Sequence, residues 1–356
     1  MVLKKIRFLA GIALVVLISG GVGYKVGLNK TQELKNSNLE GERADLTMFW
    51  KVWGLLEDKY LDPNVFDYKK MVYGAIGGMT GALGDPYTSF FPPTENTRSK
   101  EDLSGEFSGV GIQLGFVDKN LAVMSPLPDN PAIKAGIRAG DLIIHIKDEV
   151  KKVDRDTNGI SLPEAVDLIR GKNGTEVVLT IYRDSAKEPK EYKLVRQTIV
   201  VPSVSLEWVG ANKSVAWLKV SKFGEKTAGE WDKSVKEILS KGERSGIILD
   251  LRNNPGGYLQ RAVDLGSEFI TDGVIVIQQG KEDREVFRVN HQGRLIGRKL
   301  VILVNRGSAS ASEILAGTLR ERANAKLVGE TTFGKGTVQE AEDLPGGAGI
   351  HITIAK

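Results

Sequence analysis

The apolar run 299–304, Lys-Leu-Val-Ile-Leu-Val, leads into the small-residue turn Asn305-Arg306-Gly307-Ser308-Ala309-Ser310. Residues 312–322 follow, with apolar side chains recurring at helical spacing. This succession of strand, tight turn and helix constrains the fold more than any other stretch. A short β-branched run suits a strand buried on both faces, the condition of a parallel sheet covered by helices. Runs at 214–220, 247–251, 274–277 and 326–328 are also strand-like and alternate with helical patterns. Residues 184–356 are therefore expected to form an α/β core.

The same turn is a place for chemistry. A serine there has its hydroxyl at the positive end of a helix, where free backbone N–H groups can stabilise a developing oxyanion. A plainer reading competes: Ser310 with Glu313 three residues on fits a capping box, in which serine only caps the helix. The rest of the chain bears on the choice. It contains no cysteine and three histidines, His145, His291 and His351. A Ser-His-Asp arrangement needs a histidine beside the serine, yet His145 and His351 both fall inside strand-like runs.

A neutral lysine can activate a serine instead. Lys335, between Gly334 and Gly336, is the candidate. Free lysine titrates near 10.4, so neutralising its amine near pH 7 costs roughly 4 kcal/mol, which burial can supply. Gln339, four residues on at the start of a strand pattern, can hydrogen-bond the amine without stabilising its charge as a carboxylate would. Taken singly, Lys335 reads as a loop lysine and Gln339 as a solvent-facing strand residue.

Taken together, Gly307-Ser308-Ala309-Ser310-Ala311-Ser312-Glu313-Ile314, Lys335 and Gln339 resemble the carboxyl-terminal processing (tail-specific) serine peptidases. The turn Asn253-Asn254-Pro255-Gly256-Gly257 looks like that family's glycine turn, and 83–90 like its N-terminal motif. The resemblance implies a crotonase-like α/β protease core, packed with N-terminal helices and carrying an inserted PDZ domain. It implies Ser310 as nucleophile, Lys335 as general base, Gln339 as the residue orienting the lysine, and the N–H groups of Gly256 and Ala311 as oxyanion hole. No metal or organic cofactor is implied. Relatives usually continue through further core segments beyond a point like Lys356, so whether a C-terminal part is missing is left open.

The middle of the chain reads as a binding module. Gly109-Val110-Gly111-Ile112 sets a glycine loop before an alternating strand, a geometry whose free amides capture a peptide carboxylate. Residues 161–170 read as a helix with proline in its first turn and apolar residues facing a groove. A protein's C-terminal tail would add as a strand between this helix and the Ile112 strand. Arg170, at the helix end, is a candidate link between peptide capture and assembly of the Ser310 site, or simply a charge complementing the helix dipole.

A formal charge of +4, from 49 basic and 45 acidic residues, makes no case for nucleic acid. Lys4, Lys5 and Arg7 precede an apolar stretch in the order of a secretion signal. From residue 8 to 24 a helix would reach about 26 Å, slightly short of a bilayer core of roughly 30 Å. No clear Ala-x-Ala cleavage site follows, which favours a retained anchor with the catalytic bulk outside the cytoplasm. The expected divisions are 1–28 signal or anchor, 29–98 linker and helical region with packing aromatics, 99–183 PDZ domain, and 184–356 protease core. Homo-oligomer formation is left open. The expected function is a membrane-tethered or secreted serine endopeptidase acting on C-terminal tails; the alternative is a non-catalytic PDZ scaffold.

Overall fold

The computed structural model describes residues 44–186, 188–242 and 246–356. The expected N-terminal anchor or signal lies outside them. No described helix is long and apolar enough to cross a membrane. Helix α1 spans Thr47–Lys59 and helix α2 Tyr68–Gly81. Between them the chain turns at Asp62-Pro63, where the Asp62 carboxylate accepts from Asn64 N–H at 3.0 Å. The sequence reading gave the aromatic residues of α1 a packing role. The helix buries none of its residues. Trp50 lies 5.0 Å from Phe49 and 6.0 Å from Trp53, ring centre to ring centre. Trp53 also stacks on Tyr68 of α2, 6.1 Å between ring centres.

Strand β1 (Ser89–Phe91) and helix α3 (Pro93–Ser104) come next. Gly105 ends α3 at φ 72°, a left-handed cap that suits glycine.

The middle module comprises β2 (Glu106–Gly109), β3 (Ile112–Val117), β4 (Asn120–Pro126), the short α4 (Pro131–Lys134), β5 (Leu142–Asp148) and β6 (Val153–Asp156). Helix α5 (Leu162–Ile169), β7 (Glu176–Tyr182), β8 (Lys190–Val195) and β9 (Gln197–Val200) complete it. One sheet runs β3-β4-β5-β7-β8, with β6 on β5, while β2 pairs separately with β9. Alternation along β7 sends Val177, Leu179 and Ile181 inward to a core shared with Leu121, Ile143 and Ile169. As expected, α5 carries proline in its first turn, and Ser161 caps it by accepting from Glu164 N–H. Beneath lies a buried ion pair: Arg196 and Asp148, 1% and 0% exposed, meet at 2.6 Å. The remaining Arg196 donors reach Ile169 O, Thr175 Oγ1, Glu176 O and Leu168 O, so the buried guanidinium is well satisfied.

The α/β core expected from the strand runs is present. It contains β10 (Val204–Val209), β11 (Val215–Val220), α6 (Thr227–Ser240), β12 (Gly246–Asp250), α7 (Leu259–Ser267), β13 (Val274–Gln279) and β14 (Arg284–Arg288). It continues with β15 (Leu300–Val304), α8 (Ala311–Arg322), β16 (Lys326–Gly329), β17 (Val338–Asp343) and β18 (Gly349–Ala355). The main sheet has the order β10-β11-β12-β15-β16. All its neighbours run parallel except β10, which closes one edge antiparallel to β11. Leu249, Ile302, Leu265, Leu315 and Leu319 are buried between sheet and helices. Strand β13 exists where expected but leaves this sheet to form a hairpin with β14. A third sheet, β1-β18-β17, brings the segment around residue 90 against the end of the chain.

This topology fixes where a site can form. Strands β12, β15 and β16 are parallel neighbours, so the loops leaving their carboxyl ends emerge together, the usual position for ligand sites in open α/β sheets. Those loops hold Asn253 to Gly257, Asn305 to Ser310, and Lys335.

Candidate active site

Three serines stand where the turn after β15 runs into α8, and hydrogen bonding separates them. Ser308 is buried, donating to Leu251 O at 2.8 Å and accepting from Asn305 N–H. Ser312, also buried, donates to Asn254 O at 2.9 Å. Both tie the turn to the loop after β12. Ser310 is different. It heads α8 with φ 54° and ψ −116°, a backbone conformation that costs a non-glycine residue roughly 1–3 kcal/mol. The surroundings hold it there: its carbonyl accepts from Glu313 and Ile314 N–H, and its own N–H donates to Glu313 Oε2 at 2.8 Å. Ala311, the first helical residue, has no intrahelical acceptor for its N–H.

The loop after β12 is built around Asn254, which is fully buried. Its Nδ2 donates to Val220 O at 2.8 Å, its Oδ1 accepts from Gly256 N–H at 2.9 Å, and its carbonyl accepts from Ala309 N–H. Asn253 and Asn305 exchange two further bonds across the two loops, each 2.8 Å. Gly256 sits at φ 104°, and a Cβ there would lie 2.9 Å from both Ala309 O and Ser310 Cβ. Glycine is required by both criteria. In this arrangement the Gly256 N–H, one of the two expected oxyanion donors, is engaged by Asn254.

Lys335 is half-buried in the loop after β16. Burial holds its ammonium below the ordinary lysine value, with the Asp85 carboxylate opposing the shift. Its Nζ lies 4.7 Å from the ring centre of Tyr87. Among the described residues no hydrogen bond joins it to Ser310 or to Gln339. The Gln339 amide donates to Thr337 Oγ1 and Thr353 Oγ1 at 2.9 and 3.1 Å. Ser310, Lys335 and Gln339 nevertheless line one cavity of about 580 Å³, together with Ile314, Tyr258 and His351. The loop is fastened by Phe333 N–H to Ser308 O and by the Glu313 carboxylate, which accepts from Thr332, Gly334 and Lys335. Burial alone would raise the Glu313 carboxyl. Hydrogen bonds from Thr332, Gly334, Ser310 and Lys335 outweigh it and hold the group below the usual carboxylate range.

Sequence reasoning did not foresee Asn254, the reach of Glu313 beyond the cap, or the place of Tyr87 and His351. Asn254 and Tyr87 lay within motifs already singled out, but neither residue had been given a part. His351 does occupy a strand, β18, as expected, yet that strand borders the cavity. Its ring rests on Phe91, 4.5 Å between centres, and burial together with nearby Lys335 lowers its basicity.

In the middle module, Gly109, Val110, Gly111 and Ile112 line a groove of about 110 Å³ whose other wall is Leu162, Val166 and Ile169 of α5. Strand β3 is an edge strand beside this groove, so its outer backbone groups are open to a further strand. Gly111, at φ 76°, packs against Asn130, leaving no room for a Cβ. Arg170 also lines the groove. Its guanidinium lies 4.2 Å from the ring centre of Phe107 and donates to Glu101 of α3 at 3.2 Å.

Two stretches of the chain match known families. Residues 214–356 match the model of peptidase family S41, and residues 108–194 that of the PDZ domain. A carboxy-terminal-processing protease of Bartonella bacilliformis is 33% identical over 361 residues, covering 100% of this chain and 78% of the relative. Carboxy-terminal processing protease CtpA of Bacillus subtilis is 37% identical over 292 residues, covering 82% of this chain and 60% of the relative. The crystal structure of a Bacteroides fragilis protein assigned to the S41 proteases aligns with a TM-score of 0.53 at 15% identity. That alignment covers 90% of this chain and 87% of the other, and this likeness concerns the fold alone.

Proposed function

Because this chain belongs to the carboxy-terminal-processing proteases of peptidase family S41, we propose that it is a serine endopeptidase with a Ser310–Lys335 dyad. Its PDZ domain holds the C-terminal tail of a protein substrate while the dyad cuts nearby. One observation supports the chemistry above the rest: a serine kept at positive φ at a helix N-terminus shares a cavity with a half-buried lysine of lowered basicity.

In this reading neutral Lys335 takes the proton of the Ser310 hydroxyl as Oγ bonds to the peptide carbonyl carbon. The resulting oxyanion lies against the N–H groups of Ala311 and Gly256, the latter turning from Asn254 Oδ1 to the substrate. The C–N bond then breaks, and the Lys335 ammonium gives its proton to the departing amine. Water, deprotonated by the same lysine, hydrolyses the acyl-enzyme and restores Ser310. For this to begin, the Lys335 amine must swing from the Tyr87 ring toward Ser310, with Gln339 orienting it.

The tail enters as a strand on β3, its carboxylate against the amides of the Gly109 to Ile112 loop and its side chains against α5. The basic and apolar N-terminal stretch supports a location outside the cytoplasm with the chain tethered to the membrane. Sequencing the N-terminus of the membrane fraction tests that: a chain beginning near residue 22 rules out the anchor.

The dyad is tested with a model protein carrying an apolar C-terminal tail. Ser310→Ala and Lys335→Ala are each expected to lower kcat by at least about 1,000-fold while leaving tail affinity unchanged. Wild-type turnover in either variant would exclude the mechanism. Tail binding without any turnover in the wild type would favour a scaffold.

A further inference from the structure

A capping box requires one hydrogen bond from the helix carboxylate, to the N–H of the cap residue. Glu313 makes that bond and three more. Oε2 accepts from Ser310 N–H at 2.8 Å and from Lys335 N–H at 2.9 Å. Oε1 accepts from Thr332 Oγ1 at 2.8 Å and from Gly334 N–H at 2.6 Å. One carboxylate thus gathers donors from the turn after β15 and from the loop after β16. Sharing a single oxygen keeps the backbone nitrogens of Ser310 and Lys335 within about 6 Å of each other. The carboxylate sits in the first turn of α8, where the helix dipole favours negative charge.

We propose that Glu313 is a positioning residue for the dyad: it locks the lysine loop onto the serine turn. The proposal rests on the catalytic reading above. Helix capping alone leaves three of the four hydrogen bonds unexplained. The locked loop is also what keeps Lys335 half-buried, and burial is what lowers its basicity. Loosening the lock therefore does two things at once. It misplaces the base, and it lets the amine reach water and titrate higher.

Glutamine at 313 keeps the shape but can offer only one acceptor oxygen, with its NH₂ turned against two of the N–H donors. Thr332→Val removes one loop bond and leaves the cap of α8 untouched. With casein, an unstructured protein, as substrate of the full chain, Glu313→Gln is expected to lower kcat by about 100-fold with little change in KM. The rising limb of its pH–rate profile moves to higher pH. Thr332→Val lowers kcat by about 5-fold at an unchanged melting temperature. Amide exchange over residues 330–337 reads the lock without turnover, and both variants are expected to exchange faster there. Wild-type protection of that segment in both would overturn the proposal. So would a loss of kcat that merely follows melting temperature, with the pH limb unmoved. If Ser310→Ala is inactive while both variants match wild type, the lock fails and the dyad stands. If Ser310→Ala keeps full activity, the dyad fails and the lock with it.

Discussion

The Lys335 ammonium and the Tyr87 ring face each other at 4.7 Å, nitrogen to ring centre. Tyr87 belongs to the segment before β1, so a residue that precedes the PDZ domain in sequence bears on the proposed base. A cation over an aromatic face is stabilised as a cation, and the Asp85 carboxylate acts in the same sense. Burial acts oppositely and prevails.

The pH–rate profile should record this balance. Activity is expected to rise with pH as Lys335 loses its proton, at a midpoint below the 10.5 of ordinary lysine. Asp85→Asn and Tyr87→Leu each remove something that favours the charged form, so each should move the midpoint to lower pH. Steady-state rates from pH 5 to 10 read this directly, and a shift to higher pH in either variant contradicts the assignment.

Gly256→Ala tests the close approach beside Ser310. The added methyl meets Ala309 O and Ser310 Cβ at 2.9 Å, in a conformation that alanine resists. A loss of kcat of about 100-fold or more is expected. Tail binding measured by fluorescence anisotropy should stay at the wild-type value.

The Arg196–Asp148 pair is a prediction about stability. Removing either partner leaves an uncompensated buried charge, and Arg196→Ala or Asp148→Ala should each destabilise the PDZ domain by about 3–5 kcal/mol in urea titrations. Replacing both with apolar residues of similar size should cost less than either single change. Burial would raise the Asp148 carboxyl, but the Lys151 N–H and Arg196 outweigh it and lower its pKa. The stabilisation is therefore complete above the unfolded value of about 3.9 and disappears as pH falls through the lower folded value.

Arg170→Ala probes communication from the groove. The guanidinium bridges Phe107 in the groove and Glu101 on α3. Cleavage of a tailed protein is expected to fall by about 10-fold, while a short peptide lacking the tail is cut at the wild-type rate. Equal rates with both substrates would reduce Arg170 to a structural contact.

How much of this was legible beforehand depends on range. The α/β core could be read because runs such as 299–304 are apolar and β-branched throughout, as burial on both faces demands. Ser310 and Lys335 could be proposed because small residues and glycines mark their loops. The departure of β13 into a hairpin could not be read, since periodicity reports which faces are buried and not which strand is the neighbour. For the same reason His351 passed as an ordinary strand residue: alternation along β18 cannot disclose that one face borders a cavity. Glu313 matched a familiar local pattern so well that its long-range bonds to Thr332 and Gly334 stayed hidden. The aromatics of α1 invited a packing role through hydrophobicity alone, which does not say that Trp53 stacks on Tyr68 of the next helix.

The three loops that meet beside Ser310 leave strands β12, β15 and β16, and the last of these is made late in the chain. On the proposed reading, a chain extended only as far as Ser310 carries an alcohol without the base assigned to it. Under the proposed mechanism the serine gains its partner only once Lys335 has been added and β16 has joined the sheet.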